Sequence, residues 1–360
     1  MTETAAAVGR DERLLWAPVG ANVVYASVTR IADLTKRVAT VEQLPRERWA
    51  SGDYVGGIVL ERPGVAHTVE TTSGRMAEVF PGDVLVGALG TRYATLESVG
   101  DWRAVEADLL LDSLTRAGVL GKSTSVAPAS LPHVIPLRYL GHLLDDGTKL
   151  TMAQCVEPLP HRELEAPIVL VIGTSMSAGK TTTAKALIRI LKRRGLRVGA
   201  AKLTGVARYA DTLAMRDAGA DHVVDFVDAG LASTVCDSDV YLPALEHIVS
   251  SLAGADVDVV VAEAGASPLE PYNVDLAQRE LGSLVRCTIL CASDPYAVVG
   301  VAAAYGIAPD LVAGKATSTE AGVELCERLS GVRALNILDR EGQLELDRLV
   351  GGQLGLDPGG

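Results

Sequence analysis

Ile168-Val-Leu-Val-Ile-Gly173-Thr-Ser-Met-Ser-Ala-Gly179-Lys180-Thr181-Thr182-Thr183 passes from an apolar run through a glycine-bounded loop into Lys-Thr and a helix-forming stretch. The apolar run reads as a buried parallel strand, because a strand covered on both faces shows a continuous run instead of alternation. Loop N–H groups turned inward, with the positive end of the following helix, make a cradle for polyphosphate. In such loops the lysine reaches the β- and γ-phosphates and the next hydroxyl binds Mg²⁺, which assigns those roles to Lys180 and Thr181. The expected phosphate-binding set is Gly173, Thr174, Ser175, Met176, Ser177, Ala178, Gly179, Lys180, Thr181 and Thr182.

Outward from this stretch, apolar strands alternate with helices. Strands are expected at 168–172, 197–202, 222–226, 257–263, 285–292, 310–313 and 332–337, and helices at 180–194, 207–218, 240–253, 273–282, 295–305 and 318–330. This rhythm predicts an α/β P-loop NTPase domain over 168–350, a parallel sheet covered by helices on both faces, with ligands beyond the carboxyl ends of the strands. Upstream, short strands at 14–19, 22–28, 37–41, 54–60, 67–71 and 84–88 stand between turn signals such as Ser73-Gly74 and Pro81-Gly82. Residues 1–155 are thus expected to form a β-rich barrel- or sandwich-like domain. A helix is expected within it at 105–117, where Leu109, Leu110, Leu111 and Leu114 stand at helical spacing before Gly118. The proline- and charge-rich 156–167 reads as a linker, and the Gly-rich 351–360 as a flexible tail.

Two strand ends carry candidate chemistry. Strand 197–202 ends in Lys202-Leu-Thr204-Gly-Val-Ala-Arg208, placing an ammonium where it would neutralise a transferring phosphoryl group or a substrate carboxylate. The plainer reading of Lys202 is a lysine snorkelling from a strand end. Strand 257–263 ends in Glu263, and a carboxylate there, beside a phosphate loop, is the usual second half of a Mg²⁺ site. Catalytic candidates are therefore Lys180, Lys202 and Glu263, with Thr181 and Glu263 as metal ligands. Thr204, Arg208, Asp211, Asp225, Ser267 and Tyr272 are weaker candidates for the substrate pocket. Asp225 and Asp228 would bind Mg²⁺ or a substrate amine, or simply be solvated in a loop. Asp294-Pro295 reads as a helix N-cap followed by proline at the first helical position.

The spacing of Gly173-Thr174 and Gly179-Lys180-Thr181 resembles the loop of dethiobiotin synthetase and its relatives, P-loop enzymes that use ATP on small carboxylates and amines. In that resemblance Lys202 matches the lysine of a Gly-Tyr-Lys-Pro segment, which implies contact with substrate and γ-phosphate. Glu263 matches the glutamate of a Val-Glu-Gly-Ala-Gly-like segment, with Ala264 in place of the first glycine. Ser175 stands where the deviant loops of partitioning and metal-inserting ATPases carry a second lysine, which disfavours that subclass. Asp221-His-Val-Val-Asp225-Phe-Val-Asp228-Ala-Gly230 and Glu263-Ala-Gly-Ala-Ser267-Pro-Leu-Glu270-Pro-Tyr272 also resemble the P-loop half of the D-glutamate N-acetyltransferase family. This second resemblance runs from Ile168 to about Leu338 and does not include the N-terminal half. Relatives of dethiobiotin synthetase are commonly dimeric, so the resemblance implies a homodimer. Ala313-Gly-Lys315-Ala-Thr317-Ser318 and Leu335-Asn336-Ile-Leu338 fall where such relatives read the nucleotide base; neither matches Asn-Lys-x-Asp, which leaves adenine as the default.

Composition narrows the partners. Lys and Arg total 33 against 45 Asp and Glu, a net charge of −12 that opposes nucleic-acid binding. The run Lys185, Arg189, Lys192, Arg193, Arg194 reads as the solvated face of a helix. The apolar stretch at 297–309 is too short to span a bilayer, and the first residues lack a basic segment followed by an apolar core. With five cysteines in no framework spacing, the expectation is a cytoplasmic protein without structural disulfides or membrane contact. Cys287 and Cys291 read as core, and the six histidines show no metal-ligand spacing.

The leading expectation is an enzyme that uses Mg-ATP to phosphorylate a small carboxylate or an amine-derived carbamate, as kinase or ligase, with ATP and Mg²⁺ as cofactors and a small carboxylate or amino acid as substrate. Two alternatives stand beside it. One is an N-acyltransferase of an amino acid, the loop holding the diphosphate of acetyl-CoA. The other is a nucleotide-switched regulatory or chaperone protein.

Overall fold

A computed structural model describes residues 16–37, 39–62 and 64–356. The N-terminal part holds β1 (Val23–Tyr25), β2 (Thr40–Glu42), β3 (Tyr54–Val59), β4 (His67–Glu70), β5 (Met76–Val79), β6 (Val84–Leu89), β7 (Thr91–Ala94), β8 (Ser98–Asp101), β9 (Leu110–Ser113), β10 (Val119–Val126), β11 (Ile135–Asp145) and β12 (Thr148–Lys149). Strands β6, β3, β11 and β9 pair antiparallel in that order. Strand β10 then pairs antiparallel with β9 and parallel with β6, which closes five strands into a small barrel. Alternation along each strand sorts the side chains. Val55, Val59, Leu85, Leu89, Leu111 and Leu120 fill the interior, while Tyr54, Val84, Val86 and Val119 join a second apolar cluster outside it.

Two N-terminal expectations fail. The helix over 105–117 is instead β9 and a turn: Leu109 takes a φ of +55°, and Gly118, read as a helix cap, takes +83° in a turn that feeds β10. The leucines at 109–114 fit either period, and pairing with both β10 and β11 decides for the strand. Of the strand expected at 14–19, residues 14 and 15 lie outside the described residues and 16–19 form a turn region.

The C-terminal part is a six-stranded parallel sheet of β13 (Ile168–Gly173), β14 (Val198–Thr204), β15 (His222–Asp225), β16 (Val259–Ala264), β17 (Val285–Ala292) and β18 (Leu311–Gly314), ordered β15-β14-β16-β13-β17-β18. Its helices are α1 (Lys180–Arg193), α2 (Tyr209–Asp217), α3 (Ser238–Gly254), α4 (Val274–Leu281), α5 (Pro295–Tyr305), α6 (Glu320–Ser330) and α7 (Arg340–Gln353). Successive strand residues go to opposite layers. Ile168, Leu170, Ile172, Val260 and Ala262 pack with residues of α3, α4 and α5; Val169, Val171, Val259, Val261 and Ile289 pack with α1 and α7. Asp294 caps α5 by accepting the N–H groups of Tyr296 and Ala297, as its Asp-Pro signal predicts.

Two departures occur near the end of the chain. The strand expected at 332–337 is a single bridge from Ala334 to Val312. The tail expected from 351 is ordered through 356: α7 runs to Gln353, Gly351 is buried beside Arg194, and Leu354 and Leu356 pack on the core. Its remainder, 357–360, lies outside the described residues.

The two parts share a core. One cluster runs from Tyr54, Val86 and Val119 on the barrel's outer face to Leu203, Phe226 and Ala232 below it. Residues 156–167 lie along α3, with Leu164 buried and the Arg162 N–H donating to Ser250 Oγ at 3.2 Å. At the same seam Arg30 of the barrel half donates to Asp225 Oδ1 at 2.6 Å and Asp228 Oδ1 at 2.9 Å.

Candidate active site

The phosphate loop joins β13 to α1. The Lys180 side chain folds back over it, its Nζ donating to Ser175 O at 2.8 Å. A Cβ at Gly173 would come within 2.8 Å of Lys180 Cδ and Nζ, so the glycine at the strand end is what gives the lysine its path. Met176, Ser177, Gly179, Lys180, Thr181 and Thr182 line a cleft of about 950 Å³. Thr174 and Ala178 brace the loop from behind. The Thr174 N–H donates to Cys291 O at 2.9 Å, and Ala178 O accepts the Lys315 N–H at 3.1 Å. The turn after β18, which includes Gly314 and Lys315, therefore sits directly on the loop and lines the cleft, as do Ile337 and Leu338.

Sheet register supplies the charges beside it. Lys202 on β14 pairs in register with Asp225 on β15 and with Glu263 on β16, and Glu263 pairs with Val171 two residues before Gly173. Lys202 is 4% exposed; its Nζ donates to Asp211 Oδ2 on α2 at 2.6 Å and to Val206 O at 3.3 Å. Burial pulls this ammonium down, but Asp211, Glu263 and Asp225 outweigh it and hold the pKa above the ordinary value. Burial pulls Lys180 below its usual value, with Glu263 opposing. Glu263 is 2% exposed and held above the ordinary carboxyl range by burial and then by Asp211, against Lys202, Lys180 and a hydrogen bond from Thr181.

Glu263 Oε2 is buried with no hydrogen-bond partner. A buried carboxylate oxygen left unpaired beside a threonine hydroxyl and two ammonium groups fits a divalent cation, which would satisfy it. Thr181 and Glu263 are thus the residues that would hold Mg²⁺.

Among the weaker substrate candidates, Arg208 and Asp211 line the cleft, and Asp211 is engaged by Lys202 and, at 3.5 Å, by Arg208. The others are not among its lining residues. Asp225 is taken by Arg30. The Tyr272 hydroxyl, fully buried, accepts the Tyr93 N–H at 2.7 Å. Ser267 Oγ accepts the Leu269 N–H at 3.3 Å within its own turn. Thr204 Oγ1 is buried without a partner. Lys185, read as part of a solvated face, also lines the cleft.

The barrel and the flanking pairs β4–β5 and β7–β8 form the opposite wall, which no motif in the sequence marks. Glu70 accepts the N–H groups of Tyr209 and Ala210, at 2.8 and 2.7 Å, and so caps α2. Arg92 pairs with Glu97, and Glu97 Oε1 accepts the Ser177 hydroxyl at 3.0 Å, tying barrel to phosphate loop. Arg116 and His133 complete the wall. Seven Lys and Arg side chains line the cleft against four Asp and Glu, in a chain whose net charge is −12. The only signal in the sequence is the two arginines themselves, which nothing distinguishes from surface cations.

Among the described residues no helix is long and apolar enough to cross a membrane. Comparison with known proteins gives one family match: residues 168–285 match the family described as MobB, molybdopterin guanine dinucleotide synthesis protein B. Two cobyric acid synthases share a segment with the chain. That of Chloroflexus aurantiacus is 37% identical over 73 residues and that of Chloroflexus aggregans 41% over 75, in each case 20% of this chain and 15% of the relative. The chain thus matches only a small part of these relatives' length. Similar solved structures include the hydrogenase maturation factor HypB from Archaeoglobus fulgidus (16% identity, 52% of this chain and 90% of that one, TM-score 0.37). A duf1611 family protein from Anabaena variabilis is 19% identical over 54% of this chain and 61% of that one, also at a TM-score of 0.37. The family match, the strand–loop–helix geometry and the Lys180, Thr181 and Glu263 arrangement make the C-terminal half a nucleotide-binding domain of the P-loop NTPase fold, with a β-rich N-terminal half in addition.

Proposed function

We propose that this chain is a Mg-ATP-dependent enzyme that transfers the terminal phosphoryl group to a small carboxylate or carbamate, as a kinase or as the first half of a ligation. The observation that carries the proposal is the cleft itself. A phosphate loop and an unpaired buried carboxylate oxygen form its floor, and it extends past them to a cationic wall. That leaves space for an anionic acceptor as well as a nucleotide.

Lys180 binds the β- and γ-phosphates from within the loop. Lys202, held by Asp211, presents a fixed positive charge across the intervening β16, so charge developing on the transferred group meets a preorganised field. Mg²⁺, when bound by Thr181 and Glu263, supplies neutralisation of the phosphate oxygens. Gly314, Lys315, Ile337 and Leu338 line the cleft beside the loop, and the base is assigned to them in this reading. The barrel wall positions the acceptor, and positioning supplies much of the catalysis in this reaction class.

The test is nucleotide binding followed by turnover. Mg-ATP should stabilise the protein against heat, and ADP release should rise when small carboxylates or carbamate-forming amines are supplied. Stabilisation by acetyl-CoA but not by Mg-ATP would replace this reading with acyl transfer, and absence of any nucleotide binding would remove it.

A further inference from the structure

The barrel wall gathers donor groups that phosphate binding does not use. Arg92 on β7 is 8% exposed. Its Nη1 donates to Leu114 O at 2.6 Å and its Nη2 to the Glu97 carboxylate, yet its buried Nε–H has no acceptor. A buried guanidinium with an unmet donor is destabilising until an acceptor reaches it. On the same wall Arg116 Nη2 lies 2.8 Å from His133 Nδ1. Arginine has donors only, so Nδ1 must be the acceptor, and the ring's one N–H is then on Nε2. Partial desolvation of the ring, and next the charge of Arg116, hold His133 below its ordinary pKa, which favours this neutral tautomer. Arg208, 67% exposed at the start of α2, acts electrostatically on both Arg92 and His133. All four residues line the cleft that also contains Lys180.

The wall therefore presents donors, and of its two carboxylates Glu70 is taken by the N–H groups of Tyr209 and Ala210, which leaves one carboxylate among them. That carboxylate, Glu97, is divided between Arg92 and the Ser177 hydroxyl of the phosphate loop. Arg92 thus already holds a carboxylate supplied by the chain itself, and the planar guanidinium favours that partner.

We propose that Arg92, Arg116, Arg208 and His133 form an acceptor subsite for a small molecule bearing a carboxylate, with Arg92 the specificity-determining residue and Glu97 the resident carboxylate that the ligand's own replaces. The reaction at this subsite rests on the function proposed above; carboxylate binding there does not.

The test uses the full chain saturated with Mg-ATPγS and titrated calorimetrically with succinate, glutarate and glutamate, with glutaramide as the uncharged control. At least one carboxylate should bind and glutaramide should not. Arg92→Met should weaken that binding tenfold or more and leave nucleotide affinity within twofold. Arg116→Gln, at an exposed position that does not endanger folding, should weaken it about threefold, and Lys180→Met should retain it. Binding that is equal in the wild type and in both arginine variants overturns the subsite, as does a wild type that binds nucleotide but none of the three carboxylates. A chain that binds a carboxylate through Arg92 but binds no nucleotide leaves the subsite standing and removes the proposed function.

Discussion

The floor and the roof of the cleft use charge differently. On the floor Lys180, Lys202 and Glu263 are almost wholly buried at strand and helix ends, locked by sheet register and by Asp211. On the roof Arg116 and His133 are exposed, and Arg92 shares its partner Glu97 with the phosphate loop. Buried charges fixed by a parallel sheet suit a ligand whose geometry never changes, such as a polyphosphate, and their desolvation lowers stability in exchange for preorganisation. A wall that combines the exposed Arg116, a neutral His133 and a buried Arg92 shared with Glu97 suits the part of the substrate that sets specificity. Under the proposed function, the difference teaches that nucleotide binding and acceptor choice fall to different halves of one shared core.

The largest effect should come from breaking the seam that holds roof to floor. Arg30→Met leaves Asp225 and Asp228 facing each other without a cation, and loss of one partner of a buried pair costs about 3–5 kcal/mol; denaturant melts will show it. Next, Lys180→Met should weaken nucleotide binding by about 100-fold, or ~3 kcal/mol, measured by calorimetry. Because it removes a buried ammonium, the same change should leave the melting temperature equal or higher. A floor residue that raised stability and a roof residue that governed nucleotide affinity would together reverse the comparison.

Glu263→Gln should reduce Mg²⁺ affinity by roughly 10–100-fold with little change in melting temperature. The wild-type carboxyl is held above its ordinary pKa, so protons compete for it at higher pH than for a free glutamate. Mg²⁺ affinity should therefore fall as pH is lowered, and the variant should flatten that dependence. The smallest effect concerns Asp228, pushed up to about 6 by burial and then by Asp225. A carboxyl raised in the folded state takes up a proton on folding between its ordinary value and about 6. Its contribution to stability thus grows as pH falls through that window. Asp228→Asn should remove this gain in urea melts between neutral pH and pH 5, whereas an unchanged profile would assign the dependence to other groups.

The two halves also differ in how much their sequences disclose. Strands β13 and β16 are buried at every residue, so β13 appears as an unbroken apolar run and β16 as one interrupted only by Glu263, and the loop between β13 and α1 carries its own spacing. The six strands of the sheet and the helices α1 to α6 follow that signal. In the barrel each strand is shared between two apolar environments, so nothing marks Leu110 and Leu111 as strand rather than helix until β11 pairs with them. The end of the chain was misread because Gly351 and Gly352 resemble a frayed tail, whereas Asp339 caps α7 and Arg194 packs against Gly351. That Lys180, Thr181, Lys202 and Glu263 meet at one cleft was legible because each lies near a strand end or begins a helix beside the loop. Arg92, Arg116 and Glu97 were not, since only the closure of the barrel brings them there. Tyr272 and Asp225 stood out as polar residues at strand and loop ends, but both serve the seam with the barrel.

The central claim is that Lys180 grips a phosphate that is transferred, not one that anchors a cofactor. Its most direct test is to incubate the protein with Mg-ATP, a carboxylate found to bind the roof, and hydroxylamine, and to measure ADP and hydroxamate together. Formation of hydroxamate in step with ADP, abolished by Lys180→Met, is the predicted result; ADP formation without hydroxamate, at a rate indifferent to the carboxylate, would contradict it.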